Sequence, residues 1–141
     1  MRAELADRVF RENLRNVALC GTLGAEEVRN HYHNADIFLF PSVWEGSPKV
    51  ILEAAACGLP VIARKDYLPE TVVDGSTGFL AGSKAQIFTR LEQLLSDAEL
   101  RRDFGMAGRK LSERFDWDGI ALKWQETFLR LWREKQGKSA A

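Results

Sequence analysis

Glu45 and Glu53 are separated by seven residues, the first of them the segment Gly46-Ser47-Pro48-Lys49. An ionised carboxylate only accepts hydrogen bonds, and its two oxygens can take both hydroxyls of a cis-diol. Ser47 followed by Pro48 signals the start of a helix. Serine caps helices well, and proline is favoured at the first helical position, where its missing N–H would be unbonded anyway. Such a helix tip presents free N–H groups and the positive end of a dipole, and both attract phosphate. Glu45 then falls in the loop before the tip and Glu53 near the middle of the helix. Carboxylates repel phosphate but accept from hydroxyls. The pattern asks for a ligand with phosphate at its centre and hydroxyl-rich groups on either side, the layout of a nucleotide-sugar.

The elements that must hold these residues are legible around them. Ile37 to Phe40 is a short apolar run that suits a parallel strand covered on both faces. Val50, Ile51, Ala54 and Ala55 repeat at helical spacing, Gly58 is a natural stop, Pro60 bars continuation, and Val61 to Ala63 returns as a strand. The stretch predicts one right-handed βαβ unit. In open α/β sheets, ligands bind beyond the carboxyl ends of such strands.

The segment EGSPKVILEAAACGLPVIA resembles the signature of retaining glycosyltransferases of the GT-B fold, family 4, whose E-x7-E pattern Glu45 and Glu53 match. NVALCGTLGAEEVRNHYHNADIFLFPS before it and LPETVVDGSTGFLAG after it follow the same family's order, so the resemblance spans roughly residues 12–130. It implies a Rossmann-like parallel sheet flanked by helices, the C-terminal half of a GT-B fold without its first strand and helix. Residues 1–141 would be part of a nucleotide-sugar-binding domain, and 116–136 a terminal helix reaching toward an N-terminal, acceptor-binding domain that this chain lacks.

By that resemblance Glu45, Gly46 and Ser47 bind the donor sugar, and Lys49 and the Val50 N–H face the diphosphate. Glu53 takes the ribose hydroxyls, and Gly21 and Thr22 lie near the base. Pro48 cannot supply an N–H to the phosphates. The donor would be UDP-, GDP- or ADP-linked and the acceptor a hydroxyl group, with retention at the anomeric carbon and no metal or other cofactor. No catalytic base is assignable, nor are the family's phosphate-binding Arg and Lys. The family often shows a glycine pair where this chain has Tyr67 and Leu68.

Elsewhere, Leu5, Val9, Phe10 and Leu14 predict an amphipathic helix over 2–14 broken at Asn16, and Val17 to Cys20 a strand. Glu26 to Asn34 reads as a short helix. His31 and His33, two positions apart, point to different sides of it and suggest no metal site. Pro69 and Glu70 should open a helical turn, and Phe79-Leu80 forms an edge strand. Ser83 caps a helix with the stripe Ile87, Leu91, Leu94 and Leu95. Asp97 starts the next, with Leu100, Phe104 and Leu111 inward and Gly105 and Gly108 weakening it. Ile120, Ala121, Trp124, Phe128 and Leu131 form a final aromatic stripe, and Gly137 to Ala141 should fray.

Twenty basic and twenty acidic residues cancel, so net charge suggests neither nucleic acid nor membrane as a partner. The basic residues Arg101, Arg102, Arg109, Lys110 and Arg114 read as a solvated helix face. Cys20 and Cys57 read as buried free thiols. No run is long and apolar enough to span a membrane, and the cytosol is the default location, with attachment to the inner membrane surface through absent regions left open. Two other functions fit parts of the sequence. One is a non-catalytic module binding a protein through its C-terminal aromatic helix. The other is a glycoside hydrolase using Glu45 and Glu53 as its acid and nucleophile pair.

Overall fold

The chain divides into two compact units, Met1–His31 and Tyr32–Ala141. The computed structural model describes residues 2–67 and 69–139; Leu68, Ala140 and Ala141 lie outside them.

In the first unit, α1 spans Arg2–Arg11 and buries none of its residues. It ends earlier than expected. Asn13, not Asn16, stops it: at φ 50° Asn13 adopts the left-handed conformation that asparagine tolerates. Its N–H bonds to the Phe10 carbonyl at 3.2 Å, and the Leu14 N–H to that of Val9 at 3.0 Å. This is the double closure of a Schellman motif. Val17 to Cys20 does not form the expected strand. Apolar propensity makes a strand only where a neighbouring backbone completes the ladder, and none among the described residues does so here. Cys20 is exposed rather than buried. The helix α2, Ala25–Asn34, is closed at its start by Glu27, whose Oε2 accepts from the Gly24 N–H at 2.8 Å.

The second unit is built on a three-stranded parallel sheet ordered β1 (Phe38–Phe40), β2 (Val61–Arg64) and β3 (Gly78–Ala81), with Leu39 opposite Ile62 and Ile62 opposite Phe79. Alternation along the strands sorts the core into two layers. Val61 and Ala63 join Ile51, Ala54, Leu59 and Val72 on the face covered by α3 (Lys49–Ala56). Ile62 and Phe79 join Leu94 and Phe104 under α4 (Lys84–Ser96) and α5 (Ala98–Ser112). β2 and β3 each bury three of their four residues. Contrary to expectation β1 begins at Phe38 and is not covered on both faces: as an edge strand it leaves Leu39 39% exposed. β3 lies at the other edge, as predicted.

α3 stops as its sequence predicts. Gly58, at φ 82°, bonds to the Ala55 carbonyl, and Leu59 bonds to that of Ala54 at 3.1 Å. Ser83 accepts from the Gln86 N–H and starts α4, and Asp97 accepts from the Leu100 N–H at 2.8 Å and starts α5. Leu94 is buried, but Leu95, on the adjoining flank, is 63% exposed and does not belong to the inward stripe. Gly105 and Gly108 are contacts rather than weak points: both are buried, and a Cβ on Gly105 would collide with the Gly58 carbonyl. The absent side chain of Gly105 lets α5 approach the end of α3. Arg101 departs from the solvated row. Its guanidinium donates to the carbonyls of Leu94 and Leu95, satisfying the C-terminus of α4.

α6 runs over Trp117–Ser139 without fraying at Gly137, started by Asp116, whose Oδ2 accepts from the Gly119 N–H at 3.2 Å. Trp124, Phe128, Leu131 and Trp132 are all exposed on it. No helix among the described residues is long and apolar enough to cross a membrane.

Candidate functional site

Gly46, Ser47, Lys49 and Val50 lie around the start of α3, with one change of register. The helix begins at Lys49, and Pro48 is its cap, extended at φ −71° and ψ 107° with no side-chain hydrogen bond. Ser47 therefore does not cap the helix. The first-turn N–H groups of Lys49 and Val50 have no carbonyl one turn earlier to bond, which leaves the tip rich in donors.

Gly46, Ser47, Pro48 and Lys49 line a depression of about 250 Å³ together with Tyr67, Pro69, Glu70 and Phe115. Glu45 lies in an adjoining, more open depression with Trp44, Asp66 and Tyr67. Tyr67 thus borders both. It ends a 3-10 turn over Lys65–Tyr67 that local sequence did not suggest. The expected helical turn at Pro69 is a single reverse turn, with the Val72 N–H on the Pro69 carbonyl at 3.1 Å.

Charge is distributed unevenly around this tip. Arg64 Nε bonds Asp66 Oδ2 at 2.7 Å, and that guanidinium holds the Asp66 carboxyl below its ordinary range. Lys49 is exposed, its Nζ 5.7 Å from the ring centroid of Trp117. That is cation–π range, which keeps the ammonium close to the tip without burying it. Glu45 is exposed in its loop.

Glu53 is also exposed but lines neither depression; it faces Tyr32. The Tyr32 hydroxyl lies 3.4 Å from Glu53 Oε2 and 3.5 Å from the Val50 carbonyl oxygen. Burial, then the Glu53 charge, pushes the Tyr32 phenol up to about 12. Tyr32, Tyr67 and Phe115 were not picked out from sequence. Their roles depend on contacts between segments far apart in the chain, for which neighbouring residues carry no signal.

Gly21 and Thr22 belong to the first unit. Gly21 has φ 74°, and a side chain there would meet the Arg2 guanidinium, so a turn accounts for this glycine. Cys57 is half-buried and free. Among the described residues no group of three or more His, Cys, Asp or Glu side chains is arranged to hold a metal ion.

Comparison with known proteins identifies the family. The family model described as "Glycosyl transferases group 1" matches residues 4–111. A sulfoquinovosyl transferase of Arabidopsis thaliana is 32% identical over 95% of this chain and 29% of its own length. A sucrose-phosphate synthase from Thermosynechococcus elongatus superposes with a TM-score of 0.82 at 28% identity, covering 94% of this chain and 34% of the synthase. The C-terminal domain of a group 1 glycosyl transferase from Francisella tularensis superposes at 0.67 with 31% identity, covering 78% of this chain and 59% of that domain chain. The chain spans about a third of the length of the curated relatives it matches.

Proposed function

We propose, from the premise that this chain belongs to the glycosyl transferases group 1 family and has the parallel-sheet architecture of GT-B enzymes, that it binds the nucleotide-sugar donor of a retaining, family 4-like transfer to a hydroxyl acceptor. It would be part of the C-terminal, donor-binding domain, working opposite an acceptor-binding domain. The observation that carries this reading is the depression at the tip of α3 lined by Gly46, Ser47 and Lys49, where a first helical turn offers N–H groups without intrahelical acceptors.

The diphosphate sits against that tip. As the bond between sugar and phosphate breaks, negative charge grows on the leaving group. Dipoles and N–H groups already aimed at it lower the barrier without reorganising. Glu45, in the loop three residues before the capping Pro48, accepts from sugar hydroxyls. Glu53, a turn along the helix, accepts from the ribose. These roles are what the family resemblance implies and agree with what carboxylates can accept, and the adjacency of Glu45 to the depression supports the first.

Isothermal titration of the purified chain with UDP, GDP and ADP tests the proposal. Saturable binding of at least one is expected. A chain that ignores all three has no donor site of this kind, and a hydrolase of simple glycosides would behave in that way.

A further inference from the structure

Tyr67 carries a hydroxyl that its own fold leaves unsatisfied. The oxygen is closed off from solvent and has no hydrogen-bond partner among the described residues. Buried polar groups are ordinarily paired, so an orphan beside a candidate site asks for a reason. Packing holds the ring. Phe40 meets it edge to face at 6.5 Å and 90°, and it rests against the cluster of Ile51, Ala54 and Val61. Burial first, then the charges of Glu45 and Asp66, push this phenol up to about 12, so at neutral pH it is a donor seeking an acceptor. Asp66 is already engaged by Arg64.

The same ring borders the depression lined by Gly46, Ser47, Pro48 and Lys49. Pro48 has no N–H, so the helix tip is one donor short where an anion would rest. A ligand rich in acceptor oxygens and without protons of its own meets both needs. We propose that the Tyr67 hydroxyl donates a hydrogen bond to a diphosphate oxygen of the bound donor, standing in for the N–H that Pro48 lacks. The contact requires the ring to turn toward the depression, and it breaks no protein hydrogen bond among the described residues. The inference rests on the donor-binding reading above.

The test is Tyr67→Phe, which removes one oxygen and keeps the ring. Titration of wild type and variant with UDP, GDP and ADP, and with a matching sugar nucleotide for whichever binds, is paired with thermal melts. Expected is a loss of about tenfold in affinity for nucleoside diphosphate and sugar nucleotide alike, the signature of one lost charge-assisted hydrogen bond. The melting temperature should hold or rise, since a buried orphan is removed. Unchanged affinity overturns the inference, as does a loss confined to the sugar nucleotide, which would put the hydroxyl on the sugar. A lower melting temperature with unaltered affinity also overturns it, by making the hydroxyl structural. If wild type binds no nucleotide, the donor-binding reading fails and this inference with it; if wild type binds and Tyr67→Phe binds equally, Tyr67 alone is misassigned.

Discussion

The Tyr32 hydroxyl, within the second unit, lies between the Glu53 carboxylate and the Val50 carbonyl, at 3.4 and 3.5 Å, so one phenol touches two residues of α3. Both distances are long for O–H···O bonds, and each contributes little energy. They orient Glu53 while leaving most of its acceptor capacity free. Tyr32→Phe should therefore change stability by no more than about 0.5 kcal/mol and weaken nucleotide binding by about two- to fivefold. Melts and titration on the same variant check both halves. A large loss of stability with unaltered binding would mark the contact as structural.

The two carboxylates should separate by ligand. Glu53→Gln is expected to weaken free nucleoside diphosphate and sugar nucleotide alike by about tenfold or more, because the ribose is common to both. Glu45→Gln should spare the free diphosphate and weaken only the sugar-bearing donor. Titrating both ligands against both variants decides the matter. Equal losses in all four combinations would mean that the roles are misassigned.

Much of the site's frame was legible because it is encoded locally. The apolar run before Pro41, the stop at Gly58 and the break at Pro60 each specify backbone geometry within a few residues, and β1, α3 and β2 follow from them. What failed depended on partners elsewhere. Val17 to Cys20 has the composition of a strand but no ladder. Leu39 belongs to a strand at an edge, and edge position is a property of the sheet rather than of the segment. Gly105 costs helix propensity, yet at the crossing of α3 and α5 its missing side chain is what permits contact. Tyr67 looked like a loop residue because nothing beside it in sequence signals that its ring meets Phe40.

Gly105→Ala tests that crossing. The added methyl runs into the Gly58 carbonyl, which is backbone and already fixed by the motif that ends α3. Neither helix can yield without disturbing the other. A loss of about 1–3 kcal/mol is expected, the usual range for overpacking, read from chemical denaturation with an unchanged slope. The better helix propensity of alanine offsets only about 1 kcal/mol of this. A stabilised variant would show that α5 sits farther from α3 than described.

The purified chain is expected to bind donor without turning it over. Rate acceleration in a group transfer comes from holding two reactants aligned and excluding water, which the proposed two-domain arrangement accomplishes by closure. Incubation with sugar nucleotide and hydroxyl acceptors, followed by assay for released nucleoside diphosphate, checks this. Sustained release by the chain alone would overturn it.

At high pH the chain should lose stability through its tyrosines. It has two, Tyr32 and Tyr67, and in the folded protein both phenols are pushed up to about 12, chiefly by burial. In the unfolded chain they titrate near the ordinary value of about 10. The folded state therefore holds these protons more tightly. Their contribution is fully present below pH of about 10 and drains away as pH rises toward 12, where the unfolded chain has already released its protons. Tyrosinate absorbance and circular dichroism followed together should show little tyrosinate while the fold persists, then a joint transition. Half of the tyrosinate signal appearing near pH 10 with native dichroism intact would mean that one of the two phenols is open to water, and Tyr67→Phe would identify which.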